Sequence, residues 1–263
     1  MTAAAPGVTW DALASRWDTG ADWNTPVARR LAELADIRPG SAVLDAGCGA
    51  GAAAFAAARM TGPDGLVIGI DSSAAMVARA RSEAEAAGLR QVVFAVHDAA
   101  ETPYGQGAFG TVVSSMVVRY LPNPAKALAG WRHMLREGGT IAFSWVVHED
   151  PAWIPVFDAV DAYIPTECRW RAGRSRWHIG DAQALLPPDM PVRTVTELVT
   201  TTFADAQHFW SASWTAAPAL AWAHIPAHLR GAARDAAAAA LAGQQHPLER
   251  TRLVGYTIAR LAQ

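Results

Sequence analysis

Residues 43–51 read VLDAGCGAG, an apolar run that stops at the carboxylate Asp45 and hands over to glycines at every second position, Gly47, Gly49 and Gly51. A strand ending this way, with a helix resuming at Ala52, presents bare backbone N–H groups at a helix N-terminus. There the missing Cβ atoms leave room for a ligand and the helix end favours its polar parts. By itself the turn fits more than one nucleotide-like ligand, because Gly47, Gly49 and Ala52 also satisfy the dinucleotide fingerprint G-x-G-x-x-G/A. The surrounding elements have to decide between them.

On either side of the turn, AVLD (42–45), LVIGID (66–71), VVFAV (92–96), TVVSSMVV (111–118) and TIAFSWVV (140–147) are predicted strands. They are continuously apolar rather than alternating, as strands covered on both faces must be. Helical patterns lie between them. Residues 72–87 open on Ser72 or Ser73 as N-cap and put Val77, Ala80, Ala84 and Ala87 on one stripe. Residues 124–136 repeat the pattern with Leu128, Trp131 and Leu135, and EGG is read as the helix stop. The series predicts an α/β fold: a doubly wound, Rossmann-like, mostly parallel sheet with helices on both faces.

After residue 147 the rhythm breaks into Pro-interrupted, Trp-rich pieces, including DPAWIPVFDAVDAYIP and CRWRAGRSRWHIG, which predict a cap inserted after strand five. VRTVTELVTTTF (192–203) and RLVGYTIARL (252–261) resume strand character, with an alanine-rich helical stretch between them. The expected organisation is an N-terminal helical lid over 1–30, a cofactor-binding core over 31–147, a cap over 148–190, and the last strands with an intervening helical segment over 191–263.

Composition limits the function. The chain has 263 residues, is 51% hydrophobic and 17% charged, and carries a formal net charge of -2. A near-neutral chain without a Lys/Arg stripe lacks the footprint of a nucleic-acid binder, so the expected partner is a small molecule. Cys48 and Cys168 belong to no metal-ligand spacing, and no metal is expected. The N-terminus has no basic-then-apolar leader and no apolar stretch is long enough to span a bilayer, which predicts a cytoplasmic protein that does not bind membranes.

VLDAGCGAG resembles the first motif of class I S-adenosylmethionine-dependent methyltransferases, an apolar strand followed by an acid and x-G-x-G-x-G. Four further pieces fall in the order of that family. VIGIDSS looks like its second strand with the ribose-binding acid, VHDAAETPYGQGAFGTVVSS like the adenine stretch and fourth strand, and MLREGGTIAFS like the turn into the fifth. WDALASRWD looks like the N-terminal helix that covers the cofactor in the subgroup related to ubiquinone and menaquinone C-methyltransferases.

The resemblance implies S-adenosylmethionine as cofactor and assigns roles residue by residue. Asp71, with Ser72 beside it, takes the ribose hydroxyls. Asp98 and the Ala99 amide meet the adenine, and Met76 covers its other face or simply packs in the core. Gly47, Cys48, Gly49 and Ser114 surround the methionyl part. Asp45 orients the turn or meets the ammonium, and Trp17 closes from the lid.

Two departures from the family pattern matter. Phe109 and Gly110 stand where relatives often have FD, and RYLPN follows strand four where several relatives place histidines. His148, at the carboxyl edge of strand five, becomes the first choice of general base. Tyr120 is a base only if its phenol pKa is greatly lowered, with Arg119 the only hint of that, and otherwise positions the substrate. His178 is the weaker candidate.

The tryptophans number 11, and apart from Trp131 all lie in or beside the lid and the cap. They predict an apolar acceptor pocket with Trp145 and Tyr120 in its wall. The expected activity is methyl transfer to a small, largely apolar acceptor of secondary metabolism. Two alternatives stand beside it: the same fold using the cofactor unconsumed for a cyclisation or rearrangement, and an NAD(P)-dependent reductase.

Overall fold

The computed structural model describes residues 9–17, 22–168, 177–242, 244 and 247–262. At its centre is a seven-stranded sheet in the order β3-β2-β1-β4-β5-β7-β6. The strands are β1 (Ala42–Ala46), β2 (Leu66–Asp71), β3 (Val92–Val96), β4 (Phe109–Ser115), β5 (Leu135–His148), β6 (Val192–Phe203) and β7 (Leu248–Arg260). The first five run parallel, whereas β7 is antiparallel to both β5 and β6. Strand order reverses between β1 and β4, which places the ligand crevice at the carboxyl ends of those two strands.

The helices are α1 (Trp10–Leu13), α2 (Asn24–Leu34), α3 (Ala52–Thr61), α4 (Ala74–Ala86), α5 (Pro124–Met134), α6 (Ile154–Asp161), α7 (Ile179–Ala184), α8 (Ala206–Ser213), α9 (Pro218–Trp222) and α10 (Arg230–Leu241). Of the two candidate caps of α4 it is Ser73 that accepts the Met76 N–H, at 3.1 Å. Asn123 caps α5 with Pro124 behind it. No side chain caps α3: its N-cap is Gly51 at φ 97°.

Continuous burial of the central strands produces two cores. Val43, Val67, Val113 and Ala142 face α2, α3 and α4. Leu44, Ile70, Val112 and Phe143 face α5 and α7, where Leu128, Trp131 and Ala182 meet them.

Three strands have boundaries that differ from the sequence expectation. β4 begins at Phe109 and stops at Ser115, because Met116 takes φ 61° and the chain turns into a 3-10 segment, Val118–Tyr120. β5 begins at Leu135, so EGG lies inside the strand rather than ending the helix, at the shift in register between Phe109 and Thr111 of β4. β7 begins at Leu248, four residues before the expected start.

The cap also divides elsewhere than at residue 190. Trp153, Val156 and Val160 of the 150–160 stretch form one buried cluster with Phe209 of α8, Trp222 of α9, and Ala233, Ala237 and Leu241 of α10. The alanine-rich segment expected to belong with the last strands is therefore the other half of the cap. Its apolar stripe must be buried, and small side chains let α6 approach it closely. The part of the expected cap after residue 176 behaves in the opposite way, since α7, Leu186 and Met190 pack into the sheet core. Residues 1–8 and 18–21 of the expected lid, and residues 169–176 of the expected cap, Trp170 among them, lie outside the described residues.

Candidate functional site

The turn after β1 is held by its own backbone. The Gly47 and Cys48 N–H groups both donate to the Ile70 carbonyl at 2.8 Å, and the Gly51 N–H donates to the Cys48 carbonyl at 2.8 Å. All three glycines have positive φ, 79°, 51° and 97°, a region that side-chain-bearing residues enter only at a cost of about 1–2 kcal/mol. Their surroundings differ. A Cβ on Gly47 would stand 2.5 Å from Val117 and one on Gly51 2.6 Å from Phe55, whereas one on Gly49 meets no atom within 4 Å. Gly47 and Gly51 therefore serve packing, and Gly49 borders open space where a ligand can approach the backbone.

Two carboxylates lie at this turn. Asp71, at the end of β2, accepts the Gly49 N–H through Oδ2 and the Ser73 N–H through Oδ1, each at 2.9 Å. Burial raises its pKa, and these amides oppose the rise. Asp45 is wholly inaccessible, and neither of its oxygens has a hydrogen-bond partner among the described residues. Burial above all, and then the Asp71 charge, push Asp45 up to about 7; the Ala54 amide opposes the rise without satisfying either oxygen. An unpaired buried carboxyl is costly in an isolated fold. Because Asp45 is sealed from solvent, it would act on a cation in the crevice through its field rather than by contact; with the open Gly49 backbone and the Asp71 carboxylate at the same turn, the residues present fit S-adenosylmethionine.

The remaining expected cofactor residues separate into available and committed groups. Ser72 and Asp98 are exposed. Asp98 accepts the Ala100 N–H at 2.9 Å, and the buried Ala99 is pinned by its carbonyl, which accepts the Trp131 indole N–H at 2.8 Å. The Ser114 hydroxyl donates to the Ala46 carbonyl at 2.7 Å and is completely buried, so it ties β4 to β1 rather than facing the methionyl position. Cys48 is buried and its thiol is pushed well up by burial, which suits a small spacer and not a nucleophile. Met76 packs with Leu13, Ala14 and Ala219, so core packing is its observed role.

Trp145, expected in the acceptor wall, is 1% exposed and gives its indole N–H to Thr257 at 3.1 Å. It is an anchor between β5 and β7, because its position in β5 points it into the α5/α7 core. Tyr120 is 39% exposed as a residue, yet desolvation raises its phenol to about 12, with Arg119 lowering it only in part. That rise runs against service as a base. His148 is exposed at the end of β5, opposite Leu253 and next to an irregularity after Val146. Its neighbours are structural: Glu149 accepts from Arg250 Nε at 2.8 Å, and Asp150 accepts the Ala152 N–H at 3.0 Å and the Thr251 N–H at 3.1 Å. His178 is exposed in the residue preceding α7.

The lid helix is shorter than the stretch WDALASRWD. It is α-helical only from Trp10 to Leu13, and a 3-10 turn follows, so Trp17 leaves the helical face. Aromatic contacts nevertheless join the lid to the 3-10 segment after β4: Trp10 meets Trp17 edge-on at 5.8 Å and Tyr120 edge-on at 5.6 Å. Leu13 is completely buried. Trp214 and Leu220 of the cap pack on the same cluster.

Two residues of the site were not legible in the sequence. Asp11 accepts the Ser73 hydroxyl at 2.6 Å and the Ala75 N–H at 2.9 Å, both through Oδ1. Arg79 donates through Nη1 to the carbonyls of Ala14 and Trp17 at 2.9 and 2.8 Å. No local spacing signals either contact, since each joins residues more than sixty positions apart. Among the described residues no three His, Cys, Asp or Glu side chains group to hold a metal, and no helix is long and apolar enough to cross a membrane.

Comparison with known proteins adds an independent line. A family model described as a methyltransferase domain matches residues 37–170. Nocamycin O-methyltransferase of Saccharothrix syringae is 39% identical over 138 residues, 52% of this chain and 49% of that protein. Aklanonic acid methyltransferase DauC of Streptomyces sp. (strain C5) is 39% identical over 136 residues, 51% of this chain and 62% of that one. The match thus spans about half the length of the first relative and under two thirds of the second. The solved structure of the YcgJ protein from Bacillus subtilis aligns with a TM-score of 0.64 at 15% identity, covering 90% of this chain and 99% of that one, a likeness of fold.

Proposed function

The chain belongs to the methyltransferase-domain family, and from that premise we propose that it transfers a methyl group from S-adenosylmethionine to an oxygen of a small, largely apolar acceptor of secondary metabolism. The observation that carries this reading is the pairing of an open Gly49 backbone with two acids, the half-buried Asp71 and the fully buried Asp45, which lacks any partner among the described residues. A nicotinamide dinucleotide brings phosphates to such a turn, and the fully buried Asp45 beneath it disfavours them; Asp71 does not discriminate, because an acid at the end of the second strand also accepts a ribose hydroxyl of NAD. A sulfonium cofactor with an ammonium group is attracted instead.

When bound, the cofactor supplies an electrophilic methyl group. The chain's residues do the rest. Asp71 accepts the ribose hydroxyls, Asp45, sealed beneath the turn, favours the positive end through its field, and the Ala99 amide, held in place by Trp131, meets the adenine. Trp10, Trp17 and Tyr120, backed by Trp214 and Leu220, exclude water and align a flat acceptor; alignment of this kind can be worth about 7–11 kcal/mol of barrier. Oxygen as the accepting atom is supported by the relative named an O-methyltransferase, and an acidic acceptor by the one named for aklanonic acid. Such an oxygen is already acidic enough to ionise without a strong protein base, which agrees with the raised Tyr120 phenol and the exposed His148.

Calorimetric titration tests the cofactor, with S-adenosylmethionine expected to bind and NAD(P) not. The product mass tests the reaction. Transfer adds one CH₂, and an unchanged mass would indicate a rearrangement with the cofactor unconsumed.

A further inference from the structure

We propose that Asp11 is a positioning residue that couples seating of the N-terminal lid to the ribose-binding carboxylate of Asp71, through Ser73. The inference rests on the S-adenosylmethionine reading above and extends it to a residue of the lid to which the resemblance assigned no role.

Ser73 is 3% exposed and uses every polar group near the site. Its N–H holds Asp71 Oδ1 at 2.9 Å, its hydroxyl oxygen accepts the Met76 N–H at 3.1 Å, and its hydroxyl proton goes to Asp11 Oδ1 at 2.6 Å. Asp11 also accepts the Ala75 N–H at 2.9 Å. It therefore sits at the N-terminus of α4, a helix of 13 residues, where a negative charge is stabilising. Thr9 caps α1 by accepting the Ala12 N–H at 3.2 Å, which fixes the backbone that carries Asp11.

The same helix holds the lid at a second point, where Arg79 donates to the carbonyls of Ala14 and Trp17. Leu13 and Met76 are buried between the two attachments. α4 begins three residues after Asp71, so the platform for the lid and the platform for the ribose are one element.

The geometry has a directional consequence. Asp11 and Asp71 are like charges joined by one serine, and Asp11 adds to the rise in the Asp71 pKa that burial begins. A carboxylate beside another anion is a stronger acceptor, and ribose hydroxyls are the donors that relieve the repulsion. With Asp11 in place the β2–α4 turn is fixed and Asp71 is ready to accept. Without it, Ser73 loses the acceptor that orients its hydroxyl, and both the turn and the lid loosen.

The test measures S-adenosylmethionine affinity by calorimetry, and amide exchange of residues 9–17 with and without the cofactor, for the wild type and its variants. Asp11→Ala removes an acceptor of charge-assisted bonds and is expected to weaken the cofactor about tenfold, with a native melting profile. Asp11→Asn keeps an oxygen for both donors and is expected to stay within about threefold of the wild type. Ser73→Ala should resemble Asp11→Ala, and the double variant should be no worse than either single one, because both break the same link. Cofactor should protect residues 9–17 in the wild type and lose that effect in Asp11→Ala.

Unchanged affinity in Asp11→Ala, even with a faster-exchanging lid, would overturn the coupling and leave Asp11 a fastening of the lid only. Additive losses in the double variant would overturn it as well. A wild type that fails to bind the cofactor would instead overturn the function reading on which the coupling rests.

Discussion

The crevice at β1, β2 and β4 and the cap built from α6, α8, α9 and α10 are stabilised by opposite means. In the crevice, polar groups are buried and left incomplete: Asp45 has no partner among the described residues, Gly49 faces open space and α3 starts uncapped. In the cap, aromatic rings are packed to completion. Phe209 is wholly buried among Trp153 at 4.7 Å, Phe203 at 5.5 Å and Trp222 at 6.1 Å, and Trp210 stacks on Trp222 at 5.4 Å. The methyltransferase family model covers the whole crevice and ends at residue 170, before most of the cap. A site shaped for one invariant ligand repeats its backbone geometry from protein to protein, whereas a cap that meets varied acceptors needs only to be packed. Incompleteness therefore marks where a ligand has contacts left to make, and completeness marks where structure is self-sufficient.

That contrast is broken most severely by emptying the cap. Phe209→Ala should cost about 3–5 kcal/mol of stability, seen as a lowered denaturation midpoint. If the two regions are distinct, the affinity for S-adenosylmethionine measured below the new melting temperature should be nearly unchanged. A parallel loss of affinity would mean that cap and crevice act as one unit.

Asp71→Ala should do the reverse, leaving stability close to native while weakening the cofactor at least about a hundredfold, because two bonds to a charged acceptor worth about 1.5–3 kcal/mol each are removed. Calorimetry reads the affinity and circular dichroism the fold. A hundredfold loss accompanied by unfolding would place Asp71 among the structural groups instead.

The pH dependence of stability sharpens the contrast further. Asp45 has its pKa raised in the fold from the ordinary 3.8 to about 7, so the native state holds this proton over a range in which the unfolded chain has released it. Stability of the cofactor-free protein should therefore fall as pH rises from about 4 towards 7, by up to ~1.4 kcal/mol for each pH step of one within that window. Asp45→Asn should remove the Asp45 share of that slope, leaving the share of Asp71, whose pKa burial also raises, and be the more stable protein at pH 7. A wild-type profile flat over this window, by thermal melts at several pH values, would show that Asp45 is already compensated in the fold.

The smallest effect is expected at His148. If alignment by the lid and cap carries most of the rate, His148→Ala should lower turnover less than about tenfold at saturating substrates, with cofactor affinity unchanged. A loss of about 10²–10⁴, the usual contribution of a general base, would restore His148 to that role.

Much of the crevice was legible in the linear sequence. VLDAGCGAG, LVIGIDSS and the apolar runs around them predicted parallel strands, the glycine turn and the position of Asp71 at a strand end, because each depends on φ values and periodicities set within a few neighbouring residues. The same reasoning failed where two outcomes share one local pattern. Trp10 and Trp145 look alike as apolar aromatics beside the site, yet one stands half-buried in the lid wall and the other is sealed in the core with its N–H on Thr257. The alanine-rich stretch of α10 reads as a helix in any context, and nothing within it says that α6 will be its partner.

What the sequence alone determined is therefore the order of strands and helices, the family to which the turn points, and the acid that ends β2. These follow from steric limits on single residues and from burial patterns along one element. Only the tertiary structure decided that β7 runs antiparallel between β5 and β6, that the cap is assembled from both sides of β6, that Asp45 is left without a partner among the described residues, and that Asp11 reaches Ser73 from 62 positions away. Those outcomes depend on which surfaces remain to be covered once the sheet exists, a quantity carried by the packed whole and by no single stretch of the chain.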